Sequence, residues 1–387
     1  MKTFTDKAVI AGVGTVPFSR NSHNTEMAMA CLAIKAALDD AGLTPDAVDG
    51  FIEYAEEDFD EILVARSMGI GNLTYHGDVR WDGGAACAMI ERAAMAIACG
   101  MAGTIVVVRS VNDASLNRQK KTWSDARSWR ALEETFYNPY GLITDAGRIG
   151  MMVQRYILEN NINPADFGWV SVVARENGAK NPNSLFYNKP LSYEDYQISK
   201  PTVAPFREMD QAPSVDGAIA FIVTDVERAK RLKNQPVYIT AAAQSIVKDT
   251  QFKTGYYRES ISTIPGIKNV GDRLYEESGL LPKDIDVVQI EEPFAALVPM
   301  QLEALGFCEP GKGVDYIKNG DRIRSDGETP VNTSGGSIGE GSLHGINHIA
   351  EAVYQLRETS TAQVKNAECV LVTTGACGPA SGLILRR

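Results

Sequence analysis

Continuous apolar runs and helix-spaced apolar residues alternate along most of the chain. Residues 8–13 (AVIAGV) and 104–109 (TIVVVR) are continuous runs typical of strands covered on both faces. Residues 25–41 carry apolar side chains at helical spacing and stop before Gly42, whereas residues 85–100 are apolar almost all round. This pattern predicts an α/β fold with the helix at 85–100 buried in its middle.

The second part of the chain repeats the first. Residues 36–53 align with residues 273–291 as a helix, a glycine cap, a proline-containing turn and a strand. A single resemblance of this kind is common by chance, but a second one follows it in the same order. We therefore predict a duplicated core of two βαβ halves with pseudo-two-fold symmetry, comprising residues 1–235 and 236–387.

The second repeated unit begins at a pair of glycines. The pair at 83–84 precedes the apolar helix and the strand at 104–109. The pair at 335–336 likewise precedes a helix and the apolar strand at 369–374. The first half is interrupted at about residues 110–205, where aromatic, Arg, Asn and Pro residues, Trp123 and Trp129 among them, follow no clean period. This segment predicts an inserted loop or lid region made of loops and short helices.

Composition excludes several classes of function. The 387 residues are 44% hydrophobic and 22% charged, with 38 Lys and Arg against 49 Asp and Glu, a formal charge of −11. This charge argues against nucleic-acid or anionic-membrane binding. No apolar run reaches the roughly 18 residues that span a bilayer, and the chain starts directly with a predicted strand rather than a signal-peptide pattern. We expect a cytoplasmic protein without membrane insertion.

Two further observations concern disulfides, metals and nucleotide cofactors. The six cysteines are scattered and form no CxxC pair, which is typical of reduced core thiols rather than disulfides or zinc ligands. No HExxH motif, P-loop or GxGxxG motif after a strand is present. The sequence therefore predicts no metal and no bound cofactor.

The strongest candidate for a site is the glycine-dense stretch at 331–357, VNTSGGSIGEGSLHGINHIAEAVYQLR. Gly335 and Gly336 let the backbone come close to a ligand, and the helix that follows directs unpaired N–H groups at the loop. His344, one of four histidines, lies in this loop with Glu340 and Ser342. The stretch is either a tight turn or a binding site, and Glu340 either caps the loop or binds substrate.

Two acidic residues and two tyrosines are the other candidates. Glu291 and Glu292 follow an apolar strand, at the end where α/β folds place their sites. Because adjacent strand residues point to opposite faces, at most one should face the pocket, and a solvated acidic turn is the alternative. Tyr256 and Tyr257 suggest one core ring and one pocket ring.

The segments GGAAC, AAMAIA, MQLEALGFC, GGSIGEGSLHG and SGLIL resemble the thiolase superfamily over essentially the whole chain. More narrowly, they resemble the sterol-carrier-type thiolase-like proteins of bacterial steroid degradation, and among these the side-chain-cleaving aldolase subunits. The resemblance implies the thiolase fold, a five-layered α-β-α-β-α core.

The chain departs from the thiolase pattern at the residues that perform Claisen chemistry. The position of the nucleophilic cysteine falls at about Gly83, and Cys87, one turn into the helix, fits a core thiol. An HDCF-like stretch is replaced by Glu291 and Glu292, and the histidine of the GHP motif by Ser342, with His344 two places later. The last cysteine position falls near Ala376, with Cys377 displaced by one. Ordinary thiolase chemistry is therefore not expected.

The aldolase resemblance implies a lyase that cleaves a bulky, steroid-like β-hydroxyacyl-CoA by a retro-aldol reaction. Coenzyme A then belongs to the substrate. The resemblance also implies a homodimer that binds a small OB-fold or zinc-ribbon partner to form a heterotetramer. Those relatives use pocket tyrosines at two positions that are Glu291 and Ser342 here. The alternatives are a thiolase or acyltransferase with another arrangement, and a non-catalytic lipid carrier or scaffold subunit.

The candidate residues divide into two groups by expected role. Five are candidates for catalysis: Glu291, His344, Tyr257, Tyr256 and Ser342. Six are candidates for binding the substrate: Gly83, Gly84, Glu292, Gly335, Gly336 and Glu340. His344 either donates to the thioester oxygen or only bonds loop carbonyls, whereas His348, one turn into the following helix, is expected to be structural.

Overall fold

The computed structural model describes residues 5–55, 59–80, 82–116, 135–251, 253 and 255–387. Trp123 and Trp129 of the predicted insertion lie outside these residues. The strands are β1 Ala8–Ser19, β2 Gly50–Tyr54, β3 Tyr75–Val79, β4 Thr104–Asn112, β5 Asp216–Asp225, β6 Val237–Ser245, β7 Val287–Ile290, β8 Cys369–Thr374 and β9 Ala380–Arg386.

Helices lie between most of the strands of the described chain. They are α1 Glu26–Ala41, α2 Glu61–Met68, α3 Ala85–Ala98, α4 Asp113–Leu116, α5 Asp145–Asn160, α6 Gly168–Gly178, α7 Tyr193–Ile198, α8 Val226–Ala229, α9 Pro265–Ser278, α10 Leu297–Ala304, α11 Gly313–Ile317, α12 Gly336–Gly339 and α13 Ile346–Leu356.

The strands repeat one topology twice. The sheet order is β3-β2-β4-β5-β1-β6-β9-β8-β7. In the first half β1 and β4 both pair antiparallel with β5, and β4 pairs parallel with β2. In the second half β6 and β8 both pair antiparallel with β9, and β8 pairs parallel with β7. The predicted duplication of the α/β core is confirmed in strand order and strand direction.

The helix ends show why the duplication can be recognised in the sequence. Gly42 ends α1 with a φ of 73°, and Gly279 ends α9 with a φ of 76°. Both lie in the left-handed region that glycine adopts without a Cβ penalty. Proline-initiated turns follow at Pro45–Ala47 and Pro282–Asp284, before β2 and β7 respectively.

Buried side chains separate the fold into five layers. One cluster packs α1 and α2 on the outer face of the first half. A second places α3 and α13 between the strands of both halves, and a third packs α5, α6, α9 and α10 on the outer face of the second half. This α-β-α-β-α arrangement matches the predicted thiolase fold, and α3 is central because nearly all of its side chains are apolar.

The predicted insertion contains more regular structure than its sequence suggested. It includes α5, which has 16 residues, and α6, which has 11, whereas only short helices were predicted. Thr144 caps α5 by accepting a hydrogen bond from Gly147, a start signal that the irregular aromatic pattern obscured. The division at residues 235 and 236 stays a prediction. Across the described residues, no helix has both the length and the apolar character needed to cross a bilayer.

Candidate active site

Glu291 lies against the turn that precedes α3. A Cβ built on Gly83 would be 2.8 Å from Glu291 Oε2, so the carboxylate occupies the space beside the glycine α-carbon. Gly375, which follows β8, donates its N–H to the same oxygen at 3.2 Å. The side chain is 6% exposed. The end of β7 and the glycine turn of the opposite half therefore meet at one carboxylate.

Glu292 points into a different part of the interior. Its Oε2 lies 2.9 Å from His348 Nε2, and Oε1 accepts the N–H of Ile338 at 3.2 Å. Both side chains of the Glu292–His348 pair are fully buried. Burial by itself lowers the pKa of His348, but the hydrogen bond and charge of Glu292, with Glu291 and Glu340 nearby, raise it overall.

The alternative of a solvated acidic turn was therefore wrong. Both carboxylates are buried just beyond the end of β7 at Ile290, and their partners come from different parts of the chain. The two side chains point in different directions, as adjacent residues of an extended segment do. Glu291 faces Gly83, while Glu292 faces the glycine-rich loop and α13.

The two glycines of the second pair are required by close contacts. Gly335 and Gly336 have φ values of 115° and 60°, and a Cβ on Gly336 would be 2.2 Å from Glu292 Oε1. They begin the short helix α12 within the predicted glycine loop. Gly336 thus lies against Glu292, whereas a Cβ on Gly335 would be 2.8 Å from the carbonyl carbon of Gly339 and 2.9 Å from Cα of Gly178. No ligand is needed to explain these glycines.

Glu340 and Ser342 lie on the same loop but in different surroundings. Glu340 is buried and accepts hydrogen bonds from Asn181, Ser334 and Asn347 at 2.8 to 3.1 Å. Burial raises its pKa to about 7 despite these donors. Ser342 is half-buried, and its N–H donates to the carbonyl of Pro213. Glu340 therefore joins this loop to the segment after α6.

His344 contacts the first half of the chain. Its backbone has a φ of 51°, in the left-handed region, and its Nδ1 is bonded to Nη2 of Arg109 on β4. A Cβ on the next residue, Gly345, would be 2.4 Å from Thr374 Cγ2. Thr374 precedes Gly375, the donor to Glu291. One segment, residues 374–375, therefore contacts both the His344 loop and Glu291.

The two cysteines nearest this carboxylate are held as thiols. Cys87 is fully buried in α3, and burial raises its pKa to about 12. Burial, followed by the charge of Glu291, also raises the pKa of Cys377 to about 12. A nucleophilic cysteine needs a thiolate near neutral pH. Neither environment supplies one.

The two tyrosine candidates lie farther out than expected. Tyr257 is 75% exposed and Tyr256 is only half-buried, so neither ring is the predicted core ring. Tyr256 is half-buried, packs edge-on against Tyr137 at 5.8 Å, and has its pKa raised by burial. Their loop is tied to the site indirectly, because the N–H of Lys253 donates to the carbonyl of Cys377.

Sequence reasoning missed Arg109. The residue is 2% exposed, and its guanidinium carbon lies 3.6 Å from the centroid of the Tyr54 ring. It ends the apolar run TIVVVR, where a charged residue ordinarily marks the solvated end of a strand. In the structure β4 continues through Asn112, so Arg109 lies inside the strand, and nothing in the sequence indicates this.

The surroundings of the site include an open cavity. A cavity of about 710 Å³ borders Gly84 and Pro379, and Arg80, Arg92 and Gln244 also line it. Within the described parts of the chain, no group of three or more His, Cys, Asp or Glu side chains is placed to hold a metal ion.

Comparisons with known proteins identify the family of the chain. A family model described as thiolase C-terminal domain-like matches residues 253–385. The chain is 41% identical over 383 residues to the 17-hydroxy-3-oxo-4-pregnene-20-carboxyl-CoA lyase of Mycobacterium tuberculosis, covering 98% of this chain and 99% of that protein. It is 40% identical to the steroid side-chain-cleaving aldolase of Thermomonospora curvata, covering 100% of this chain and 99% of that protein.

A solved structure matches over almost the same extent. The structure described as the Ltp2-ChsH2(DUF35) aldolase has a TM-score of 0.94 and 40% sequence identity, covering 99% of this chain and 98% of that chain. Identity at this level over the full length establishes common descent as well as a common fold. The chain belongs to the thiolase superfamily, in the group of thiolase-like proteins that contains these lyases.

Proposed function

We propose that the chain is a carbon–carbon lyase that cleaves a β-hydroxyacyl-CoA thioester by a retro-aldol reaction, with Glu291 as the base. One observation carries the proposal. The carboxylate of Glu291 lies against Gly83, the position at which the thiolase pattern has its nucleophilic cysteine. A buried carboxylate in place of a thiolate can accept a proton but is not suited to acyl transfer through a thioester.

The first step is removal of a proton from the substrate. Glu291 takes the proton of the β-hydroxyl group, and the bond between the α and β carbons breaks as a carbonyl forms at the β carbon. The electron pair of the broken bond passes to the thioester, which becomes an enolate. The Gly375 N–H orients the carboxylate through its bond to Oε2.

The enolate needs a hydrogen-bond donor. Because Nδ1 of His344 is occupied by Arg109, its Nε2 is the nitrogen that carries a donor proton. We assign His344 as the donor to the thioester oxygen. The protonated Glu291 then returns its proton to the α carbon, which yields a ketone and a shortened acyl-CoA and restores the carboxylate.

The two cysteines argue against the thiolytic alternative. A thiolase passes its acyl group through a thiolate, and the thiols of Cys87 and Cys377 both have a pKa raised to about 12. Ser342 and Tyr256 stay candidates for orienting the substrate. Tyr257 is a weaker candidate because its ring is exposed.

The relatives suggest the substrate class and the partner. One is named a 17-hydroxy-3-oxo-4-pregnene-20-carboxyl-CoA lyase and another a steroid side-chain-cleaving aldolase, so we propose a bulky, steroid-like acyl group carried on coenzyme A. The similar solved structure is described as an assembly with a DUF35 protein. We propose a homodimer of this chain with a small partner of that kind.

The test is direct. The purified chain, alone and with its partner, is incubated with a steroidal β-hydroxyacyl-CoA, and the ketone and short acyl-CoA are measured by mass spectrometry. We expect Glu291→Gln to lower the rate by roughly 100- to 10,000-fold while the fold is kept. Glu309→Gln, which removes an exposed carboxylate, is the matched control.

Two outcomes would replace the proposal. Binding of the acyl-CoA without turnover, unaffected by Glu291→Gln or His344→Ala, would indicate a carrier or scaffold subunit. Acyl transfer to free coenzyme A that is abolished by Cys87→Ser would indicate a thiolase.

A further inference from the structure

Arg109 is a buried positive charge in the middle of an α/β core. It lies near the end of β4 with 2% of its surface exposed. A guanidinium stays protonated under all conditions in which proteins fold, so this side chain is a permanent cation and only a donor. Taking a charge out of water is costly unless the interior is arranged around it. Its contacts are therefore informative.

Two contacts fix the plane and the direction of the guanidinium. Its carbon stacks 3.6 Å from the centroid of the Tyr54 ring, a favourable cation–π geometry. Tyr54 ends β2, which runs parallel to β4, so the sheet itself places the two residues at the same edge. The second contact is the hydrogen bond from Nη2 to His344 Nδ1.

The bond to His344 determines the state of the imidazole. Arg109 can only donate, so Nδ1 of His344 must be the acceptor and carries no proton. In the neutral ring the proton is then on Nε2, on the opposite side of the ring from Arg109. The backbone of His344, at a φ of 51°, holds the loop in the conformation that makes this contact.

We propose that Arg109 is the positioning residue for His344, fixing its ring orientation and its Nε2–H tautomer so that a donor is presented to the substrate's thioester oxygen. This inference rests on the proposed function for the identity of the oxygen. Which nitrogen of the His344 ring carries the proton follows from the Arg109–His344 contact alone.

Nitrogen NMR of histidine-labelled protein tests the ring without any turnover. The chain has four histidines, so His344 can be assigned by the signal that disappears in His344→Gln. We expect Nδ1 in the unprotonated position and Nε2 in the protonated position at neutral pH. Arg109→Met, which has no donor, should move both resonances toward averaged values, and Arg109→Lys should restore part of the difference. Unchanged resonances in Arg109→Met would overturn the inference.

Kinetics give the second readout. Arg109→Met should lower kcat by roughly 10- to 100-fold with little change in KM, since the lost interaction is made in the transition state. Arg175→Met is the control, since Arg175 stacks on Phe186 at the same 3.6 Å but lies outside the site.

The two proposals fail in different ways. If the wild-type protein has no lyase activity, the proposed function fails, and the NMR result still decides the role of Arg109. If His344→Gln lowers kcat whereas Arg109→Met lowers it no more than Arg175→Met does, the inference fails and the proposed function stands. Thermal unfolding of each variant separates these outcomes from loss of the fold.

Discussion

The carboxylate of Glu291 and the α-carbon of Gly83 are in contact across the two halves of the fold, with 2.8 Å between Oε2 and a Cβ built on the glycine. Gly83→Ala should therefore displace the carboxylate. We expect kcat/KM to fall by roughly 100-fold, because displacements of about 1 Å at a reacting group have effects of this size. Measurement of the lyase rate and the melting temperature checks this.

The control for this substitution is Gly71→Ala, since a Cβ on Gly71 would meet nothing within 4 Å. That variant should keep its activity. If Gly83→Ala is as active as the wild type, Glu291 is not the base of the reaction.

A second prediction concerns the buried thiol of α3. Cys87→Ala should leave the rate of carbon–carbon cleavage essentially unchanged, since a thiol whose pKa is raised to about 12 supplies no nucleophile. The loss of a small buried group should cost about 1 kcal/mol of stability. Lyase assays and chemical denaturation measure the two effects. A large loss of activity in a stably folded Cys87→Ala protein would contradict the lyase mechanism.

Glu340 predicts a pH dependence of stability. Burial raises its pKa from 4.5 to about 7, so the folded protein holds this proton more tightly than the unfolded chain does. The contribution of Glu340 to the free energy of unfolding is therefore greatest below about pH 4.5 and falls as the pH rises to about 7, by an amount on the order of 3 kcal/mol.

Denaturation of the wild type and of Glu340→Gln at several pH values measures this effect. The difference in stability between the two proteins should shift in favour of the variant between about pH 5 and pH 8. Glu309→Gln, at an exposed position, should show no such shift. If the difference in stability between Glu340→Gln and the wild type does not change with pH, burial does not raise the pKa of this carboxyl group.

We predict that substitutions of Glu292 and His348 have strongly coupled effects on the free energy of unfolding. Removal of one member by Glu292→Gln or His348→Gln leaves the other buried without its partner, and each variant should lose about 3 to 5 kcal/mol. The double variant should lose less stability than the sum of the two single variants, because no charged group is then left buried without its partner. Denaturation of all four proteins completes the cycle, and strictly additive losses would rule out the coupling.

Much of the architecture was predictable from local signals. Gly42 and Gly279 are left-handed helix caps, and the prolines after them start matching turns, so the duplication is visible without any tertiary information. The central position of α3 follows from its apolar composition alone. The helices of the insertion were predicted only as short ones, because the irregular aromatic, Arg, Asn and Pro residues around them obscured the capped start of α5 at Thr144.

The site was predictable only in part. The glycine loop and the end of β7 were identified, but the partners of their side chains come from far along the chain. Asn181 bonds Glu340 from 159 residues away, and Arg109 meets His344 across 235. Periodicity describes which face a side chain takes and says nothing about such partners. For that reason alternation predicted that at most one of Glu291 and Glu292 faces the pocket, but it could not predict that both are buried.

The shared middle layer has a consequence for the origin of the chain. Because α3 and α13 pack between strands of both halves, one half alone would expose the apolar face of its sheet and could persist only beside a second identical copy. Fusion of such a pair would free equivalent positions to diverge. The glycine pairs show the result: Gly83 of the first pair borders Glu291, whereas Gly336 of the second pair borders the buried Glu292–His348 pair. If Glu291 is the base as proposed, one copy of the repeated turn borders the reacting group and the other borders a buried pair that stabilises the fold.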